Sequence, residues 1–140
     1  MVDVLIVTCA MLLSYYAKYW PSYSDYVDGS VLSNPGNEEG FSDKLLYYIT
    51  GSRTIPKDSK GNPIGVSPSI IPDGVKKYLV QYRHAKNIIN LNYLNKGDYS
   101  ENNLINALQN DEPIMLELYK HAPYIDSKSG QYGHEVTAWG

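Results

Sequence analysis

The sequence predicts an α+β domain, in which helices fill the first part of the chain and strands the last. Apolar residues recur at helical spacing in the early segments, whereas the strongest strand patterns come late. A chain of 140 residues is the size of one domain, and residues 1–140 are expected to form one domain or a fragment of one. Helices grouped before strands are typical of α+β folds, so an antiparallel sheet is expected at the C-terminal end.

The first predicted helix runs from Val4 to Trp20 and stops at Pro21. Its first residues are mostly β-branched, which leaves two interpretations of where it begins. Either the helix starts at Val4, or a short strand or turn leads into a helix that starts near Thr8.

Two segments rich in Gly, Pro, Ser and Asn are predicted to be loops, namely 22–40 and 51–69. The residues between them predict a short amphipathic helix, Phe41 to Thr50, with Ser42 as its N-cap. A further helix is predicted from Pro72 to Ala85, because proline favours the first helical position.

The last third of the chain alternates between helix and strand signals. Ser100 is a suitable N-cap for a helix with Leu104, Ile105 and Leu108 on its buried face. The apolar run that ends at Tyr119 and the closing run that begins at His134 predict strands. The expected elements are a strand at 87–94, a helix at 101–110, a strand at 113–119, a loop at 122–133 and a strand at 134–139.

Charge and hydropathy exclude several classes of partner. The net charge is −3 with a pI of about 5.5, and no basic run occurs, so no nucleic-acid partner is expected. The apolar run from Val4 to Leu13 is too short to cross a bilayer, and no membrane partner is expected. Asp3 stands where a signal peptide would carry basic residues, so no signal peptide is visible.

The 14 tyrosines, against one phenylalanine, have two interpretations. A tyrosine ring packs while its hydroxyl reaches water, which suits either a loosely covered core or a tyrosine-lined binding groove. The histidines lack metal-ligand spacing, so neither a metal nor another cofactor is expected. Of these histidines, His84 is expected to cap a helix end and His121 to follow a strand.

The single cysteine, Cys9, and the strand histidine His134 are the candidate catalytic residues. A cysteine and a histidine far apart in sequence are the arrangement expected of a thiol hydrolase. A helix that begins near Thr8 would place Cys9 in its first turn, where the helix dipole stabilises a thiolate. A helix that begins at Val4 would instead make Cys9 an interior core residue.

Three stretches of the chain resemble the papain-like cysteine peptidases, in the bacterial branches that include bacteriocin-leader-processing and immunoglobulin-degrading enzymes. The first resembles the helix behind the nucleophile, the second the helix and strand before the base, and the third the strand of the catalytic histidine. These stretches are Ala10 to Tyr16, Leu104 to Leu118, and Gly133 to Gly140. The resemblance implies a papain-like α+β fold in which an antiparallel sheet, complete or incomplete, carries the histidine.

By this resemblance His134 is the general base and Cys9 the nucleophile, acting on a peptide or protein substrate. The sequence departs from the family pattern at three points. The usual register puts the nucleophile at Val4, the oxyanion-hole glutamine would precede Met1, and the residue that orients the histidine would follow Gly140. These departures indicate a truncated or degenerate relative.

Two functions therefore remain open from the sequence. One is a cysteine-peptidase-like hydrolase that cleaves peptide bonds through Cys9 and His134. The other is an inactive papain-like binding module, or a peptidase fragment with an incomplete triad, whose tyrosine-rich cleft holds a peptide or glycan. In a fragment, a second copy or a partner chain would cover the exposed sheet edge. The family resemblance implies an extracellular location.

Overall fold

The computed structural model describes residues 3–33, 38–94, 97–119 and 133–138, and it is mostly helical. The chain divides into two units, Met1–Tyr93 (the N-terminal unit) and Leu94–Gly140 (the C-terminal unit). The helices are α1 (Val4–Tyr19), a 3-10 helix (Pro21–Tyr26), α2 (Gly29–Ser33), α3 (Glu38–Thr50), a 3-10 turn (Pro68–Ile70), α4 (Ile71–Lys77), a π-helical turn (Tyr78–Tyr82) and α5 (Glu101–Gln109). The strands are β1 (Ile114–Tyr119) and β2 (Gly133–Ala138).

The predicted α+β fold, with its helices followed by an antiparallel sheet, is wrong. Strand structure in the described residues amounts to one antiparallel pair, β1 with β2, in the C-terminal unit. The segment 87–94, predicted to be a strand, is irregular. One reason is that its backbone bonds to the Tyr26 side chain, as Asn87 C=O and Ile89 N–H both do.

The core of the N-terminal unit forms where α1 packs on α3 and α3 packs on α4. Its largest fully buried side chains come from α1, from α3, from the π-helical turn, and from the end of the 3-10 helix with the residue that follows it. They are Tyr26, Tyr78, Ile6, Leu13, Leu45, Leu79, Val27 and Cys9. Burial of this apolar surface is the main favourable term in folding the unit.

The segment 22–40 is partly helical, contrary to the loop prediction. It contains the 3-10 helix and α2, and α3 begins at Glu38, ahead of the predicted N-cap Ser42. Tyr26 and Val27 explain the difference, because both are buried and tie this polar segment to the core. Contacts distant in sequence therefore outweigh the local loop composition here.

Helix α5 and its N-cap agree with the prediction from the sequence, but the predicted burial of its apolar face does not hold. The Ser100 side chain accepts a hydrogen bond from the Asn103 N–H, as predicted for an N-cap. Ile105, expected to be buried, is 42% exposed. The helix contacts β1 within the C-terminal unit, and so small a unit has little core in which to bury an apolar stripe.

Asp3 fixes both the start of α1 and the position of a distant loop. Its Oδ1 accepts hydrogen bonds from the N–H groups of Leu5 (3.0 Å) and Ile6 (3.2 Å), which is N-cap geometry. Its Oδ2 accepts from the Val66 N–H at 3.0 Å. Because one carboxylate serves both, the loop before α4 is anchored to the N-terminus of α1.

Replacing Asp3 with alanine should lower the free energy of unfolding by about 1–2 kcal/mol, because the cap and the Val66 bond are both lost. Asp3→Asn keeps a carbonyl oxygen for the cap and should lose less. Urea unfolding of the two variants beside the wild type measures both effects. An alanine variant as stable as the wild type would refute the anchoring role.

Candidate functional site

Cys9 lies in the interior of α1, not at its tip. The helix begins at Val4, which places Cys9 in the second turn. Its side chain is 1% exposed and belongs to the core. The helix dipole acts within the first turn, and there the Asp3 carboxylate already accepts from the N–H groups of Leu5 and Ile6. The helix start that makes Cys9 a core residue is therefore the one observed.

His134 lies on β2, where its backbone pairs with Leu118 of β1. It belongs to the C-terminal unit and Cys9 to the N-terminal unit, so the pairing of these two residues stays a prediction. His121 and residues 122–132 of the loop predicted at 122–133 fall outside the described residues.

His84 ends the helical segment, as the sequence predicts for a cap, but it acts through its backbone. Its φ of 51° lies in the left-handed region, which reverses the chain after the π-helical turn. The next N–H, that of Ala85, donates to the Leu79 carbonyl at 2.9 Å. The side chain is exposed.

Tyrosine rings of the N-terminal unit pack mainly against one another, in two clusters. One cluster joins the end of α1 to the 3-10 helix, and the other joins α3 to the π-helical turn. The first contains Tyr15, Tyr16, Tyr19, Trp20, Tyr23 and Tyr26, and the second contains Phe41, Tyr47, Tyr48, Tyr78 and Tyr82. Tyr26 and Tyr78 belong to the core, whereas Tyr19, Tyr47 and Tyr82 are exposed, so neither interpretation of the composition covers all of these tyrosines.

Tyr26 holds the segment after the π-helical turn in place. Its hydroxyl donates to the Asn87 carbonyl at 2.6 Å and accepts from the Ile89 N–H at 2.7 Å. The Tyr26 carbonyl in turn accepts a hydrogen bond of 3.0 Å from the Tyr78 hydroxyl. We call the bonds between the 3-10 helix and residues 78–89 the tyrosine clasp.

Polar groups beside Tyr26 extend the tyrosine clasp. Arg83 Nε donates to the Asp25 carbonyl at 2.9 Å, and the Lys86 N–H donates to Asp25 Oδ2 at 3.0 Å. The side-chain amide of Asn87 reaches the Ser22 carbonyl at 3.2 Å. The segment 83–89 is therefore held by side chains and not by a neighbouring strand.

Burial raises the pKa of both clasp phenols. Desolvation is the main cause for Tyr26, whose pKa rises to about 12 although the hydrogen bond from Ile89 opposes the shift. The pKa of Tyr78 is raised further, again mainly by burial, with the Arg83 charge acting in the opposite direction. Both hydroxyls therefore stay protonated and able to donate near neutral pH.

A cleft opens between α4 with the following turn and the segment 88–91. Its volume is about 310 Å³. Buried aliphatic side chains of the helical segment form one side, and the irregular segment forms the other. The lining residues are Pro72, Asp73, Val75, Lys76, Leu79, Ile88, Ile89, Asn90 and Leu91.

A second, wider concavity of about 450 Å³ lies at the C-terminal end of α3. Tyr47, Tyr48, Lys77 and Gln81 contribute to its lining. Two tyrosines line this surface, whereas the described residues that line the narrower cleft include no tyrosine. The sequence did not point to the narrower cleft, because its second wall comes from residues 88–91, which lie in the segment predicted to be a strand.

Compared with known protein families, characterised proteins and solved structures, the chain shows no significant match. Within the described residues, no helix is long and apolar enough to span a membrane. The same part of the chain brings no three His, Cys, Asp or Glu side chains together in a group that could hold a metal ion.

Proposed function

We propose that this chain is a non-catalytic binding protein, whose N-terminal unit holds a small organic ligand. The burial of Cys9, which is 1% exposed in the second turn of α1, carries this proposal. An attacking sulfur must meet the substrate carbonyl, and a side chain enclosed in the core cannot do so without unfolding of α1.

Electrostatics around Cys9 also disfavour thiol chemistry. The reactive form of cysteine is the thiolate, a charged group that burial in a protein core disfavours. The nearest helix N-terminus already binds the Asp3 carboxylate, a negative charge that would repel a second one. The neighbourhood of Cys9 thus resembles that of an inert core cysteine.

A cysteine-peptidase-like hydrolase is the competing function, supported by the family resemblance. It would use Cys9 as nucleophile and His134 as base, and α1 would have to open to expose the sulfur. The two functions make opposite predictions for the reactivity of the only thiol in the chain.

We expect iodoacetamide to alkylate Cys9 in the folded protein only slowly, with no fast reaction below pH ~7. The same protein unfolded in urea should react quickly, with a rate that rises around pH ~8.5. The measurement is the alkylation rate by mass spectrometry across pH, with the Cys9→Ala variant as the blank.

Fluorogenic peptide substrates provide the second half of this experiment. The wild type and Cys9→Ala should show the same background hydrolysis. Fast alkylation of native protein below pH ~7, together with hydrolysis that Cys9→Ala abolishes, would overturn the binding function and favour the peptidase.

A further inference from the structure

We propose that the cleft between α4 and the segment 88–91 binds an aliphatic L-amino acid in its zwitterionic form. This inference rests on the proposed binding function and names its ligand class. It combines three properties of the cleft, namely its size, its aliphatic interior and its paired opposite charges.

The size and interior of the cleft suit one small aliphatic group. A volume of about 310 Å³ would hold about ten water molecules and lies at the small end of ligand pockets. Val75 and Leu79, which are 2% and 1% exposed, form its base on the helical side. Ile88 and Leu91 also line the cleft, from the irregular segment, so both of its sides offer aliphatic residues to a ligand.

Asp73 and Lys76 supply opposite charges to the same cleft. They are three residues apart in sequence on α4 and therefore lie on one face of the helix. A free amino acid presents an ammonium and a carboxylate close together, which these two side chains match in charge. Asn90 adds a polar side chain from the opposite wall. Charge-assisted hydrogen bonds of this kind are the strong ones in a small site.

Other ligands fit this lining less well. A residue inside a peptide has no free ammonium or carboxylate, so it would leave both charged side chains without their counterparts. A glycan would be expected to pack on aromatic faces, and none of the described residues that line this cleft is aromatic. The wider, tyrosine-lined concavity provides an internal comparison, because Lys77 lines it and not the cleft.

Tyr26 is a positioning residue for this site. Its hydroxyl holds Asn87 and Ile89, and Ile89 and its neighbours form the second wall of the cleft. Tyr26 is itself absent from the lining, so its effect on binding would act through the wall. Tyr26→Phe should therefore weaken ligand binding while Asp73 and Lys76 stay in place.

The test is a titration of ¹⁵N-labelled full-length protein with L-leucine, followed by amide chemical shifts. We expect saturable shifts at residues 72–79 and 88–91, with a Kd of about 1 mM or tighter. Asp73→Asn and Lys76→Gln should each weaken binding about tenfold, the effect of losing one charged hydrogen bond. The matched variant Lys77→Gln removes the neighbouring charge and should leave the Kd within about twofold.

Chemical controls separate the zwitterion from other ligands. N-acetyl-L-leucine amide keeps the side chain but lacks both charges, and it should bind at least about tenfold more weakly than L-leucine. Equal binding of the two compounds would overturn the inference, as would shifts at the cleft with an oligosaccharide but none with L-leucine. No shift with L-leucine up to about 10 mM in a well-dispersed spectrum would also overturn it.

These outcomes are separable from a failure of the proposed function. Alkylation of Cys9 reports on thiol chemistry and does not depend on the cleft. If Cys9 were unreactive and L-leucine did not bind, the proposed binding function would stand and only the proposed ligand would be refuted. The side chains of Asp73, Lys76 and Lys77 are exposed, so these substitutions should not disturb folding. Tyr26 is buried, and its variant needs a parallel measurement of its melting temperature.

Discussion

Replacing Gly74 with alanine should destabilise the protein by about 2–3 kcal/mol. A β-carbon at this position would lie 2.5 Å from both Cα and Cγ1 of Ile49, and 2.8 Å from its Cβ. Two of these distances involve the backbone or the branch point of α3, neither of which can rotate away. The alanine variant must therefore push α4 off α3, and the core between these helices would loosen.

Gly40→Ala is the matched control, because the same substitution should have the opposite sign there. Gly40 lies within α3, is exposed, and has nothing within 4 Å of an added β-carbon. Alanine favours helix over glycine by about 1 kcal/mol, so this variant should gain stability. The measurement is the urea midpoint of each variant beside the wild type. If Gly74→Ala were neutral or stabilising, the close packing of α3 on α4 would be refuted.

Gly74 shows that contacts between distant helices could not be predicted from the sequence. A glycine inside a helical pattern reads as a local weakness, although it often has a packing reason. That reason is Ile49, a residue far away along the chain on another helix. The helix over this segment could be predicted from Pro72 onwards, but the contact that requires Gly74 could not.

Signals that act within one turn were the most reliable. Pro21 ends α1 after Tyr19, and the Ser100 hydroxyl caps α5, both as the sequence indicates. The start of α1 could have been predicted in the same way, since aspartate is a strong N-cap and Asp3 directly precedes the apolar run. That one signal would have placed Cys9 in the second turn and in the core.

Tertiary contacts explain why the segment 87–94 was wrongly predicted to be a strand. The segment 87–94 has the composition of a strand, yet its carbonyl and N–H groups bond to the hydroxyl of Tyr26 from another element. A backbone satisfied in this way needs no neighbouring strand. The second wall of the cleft depends on this arrangement and was therefore not foreseeable from periodicity. The shared helix face of Asp73 and Lys76, in contrast, follows from their spacing in the predicted helix.

Replacing Tyr26 with phenylalanine should cost about 2–3 kcal/mol of unfolding free energy. The ring would still fit its fully buried position, so the loss comes from the hydroxyl. Without it, the Asn87 carbonyl and the Ile89 N–H each lose a hydrogen bond in a partly buried place. Tyr19→Phe is the control, because Tyr19 is 59% exposed and its change should be within about 0.5 kcal/mol. Urea unfolding measures both variants.

The pH dependence of stability distinguishes loss of the hydroxyl from a general loosening of the core. Burial raises the pKa of Tyr26 from 10.0 to about 12, so the folded state keeps the phenol neutral while the unfolded chain ionises above pH 10.0. The contribution of Tyr26 to the free energy of unfolding is therefore complete below pH 10.0 and is lost as the pH rises toward about 12. The free energy of unfolding should fall by on the order of 2 kcal/mol over this range. The pKa of Tyr78 is raised in the same direction, so part of the decline should persist in Tyr26→Phe. If the free energy of unfolding fell as steeply with pH in Tyr26→Phe as in the wild type, Tyr26 would not be a buried neutral donor. The hydrogen bonds assigned to its hydroxyl in the tyrosine clasp would then be refuted.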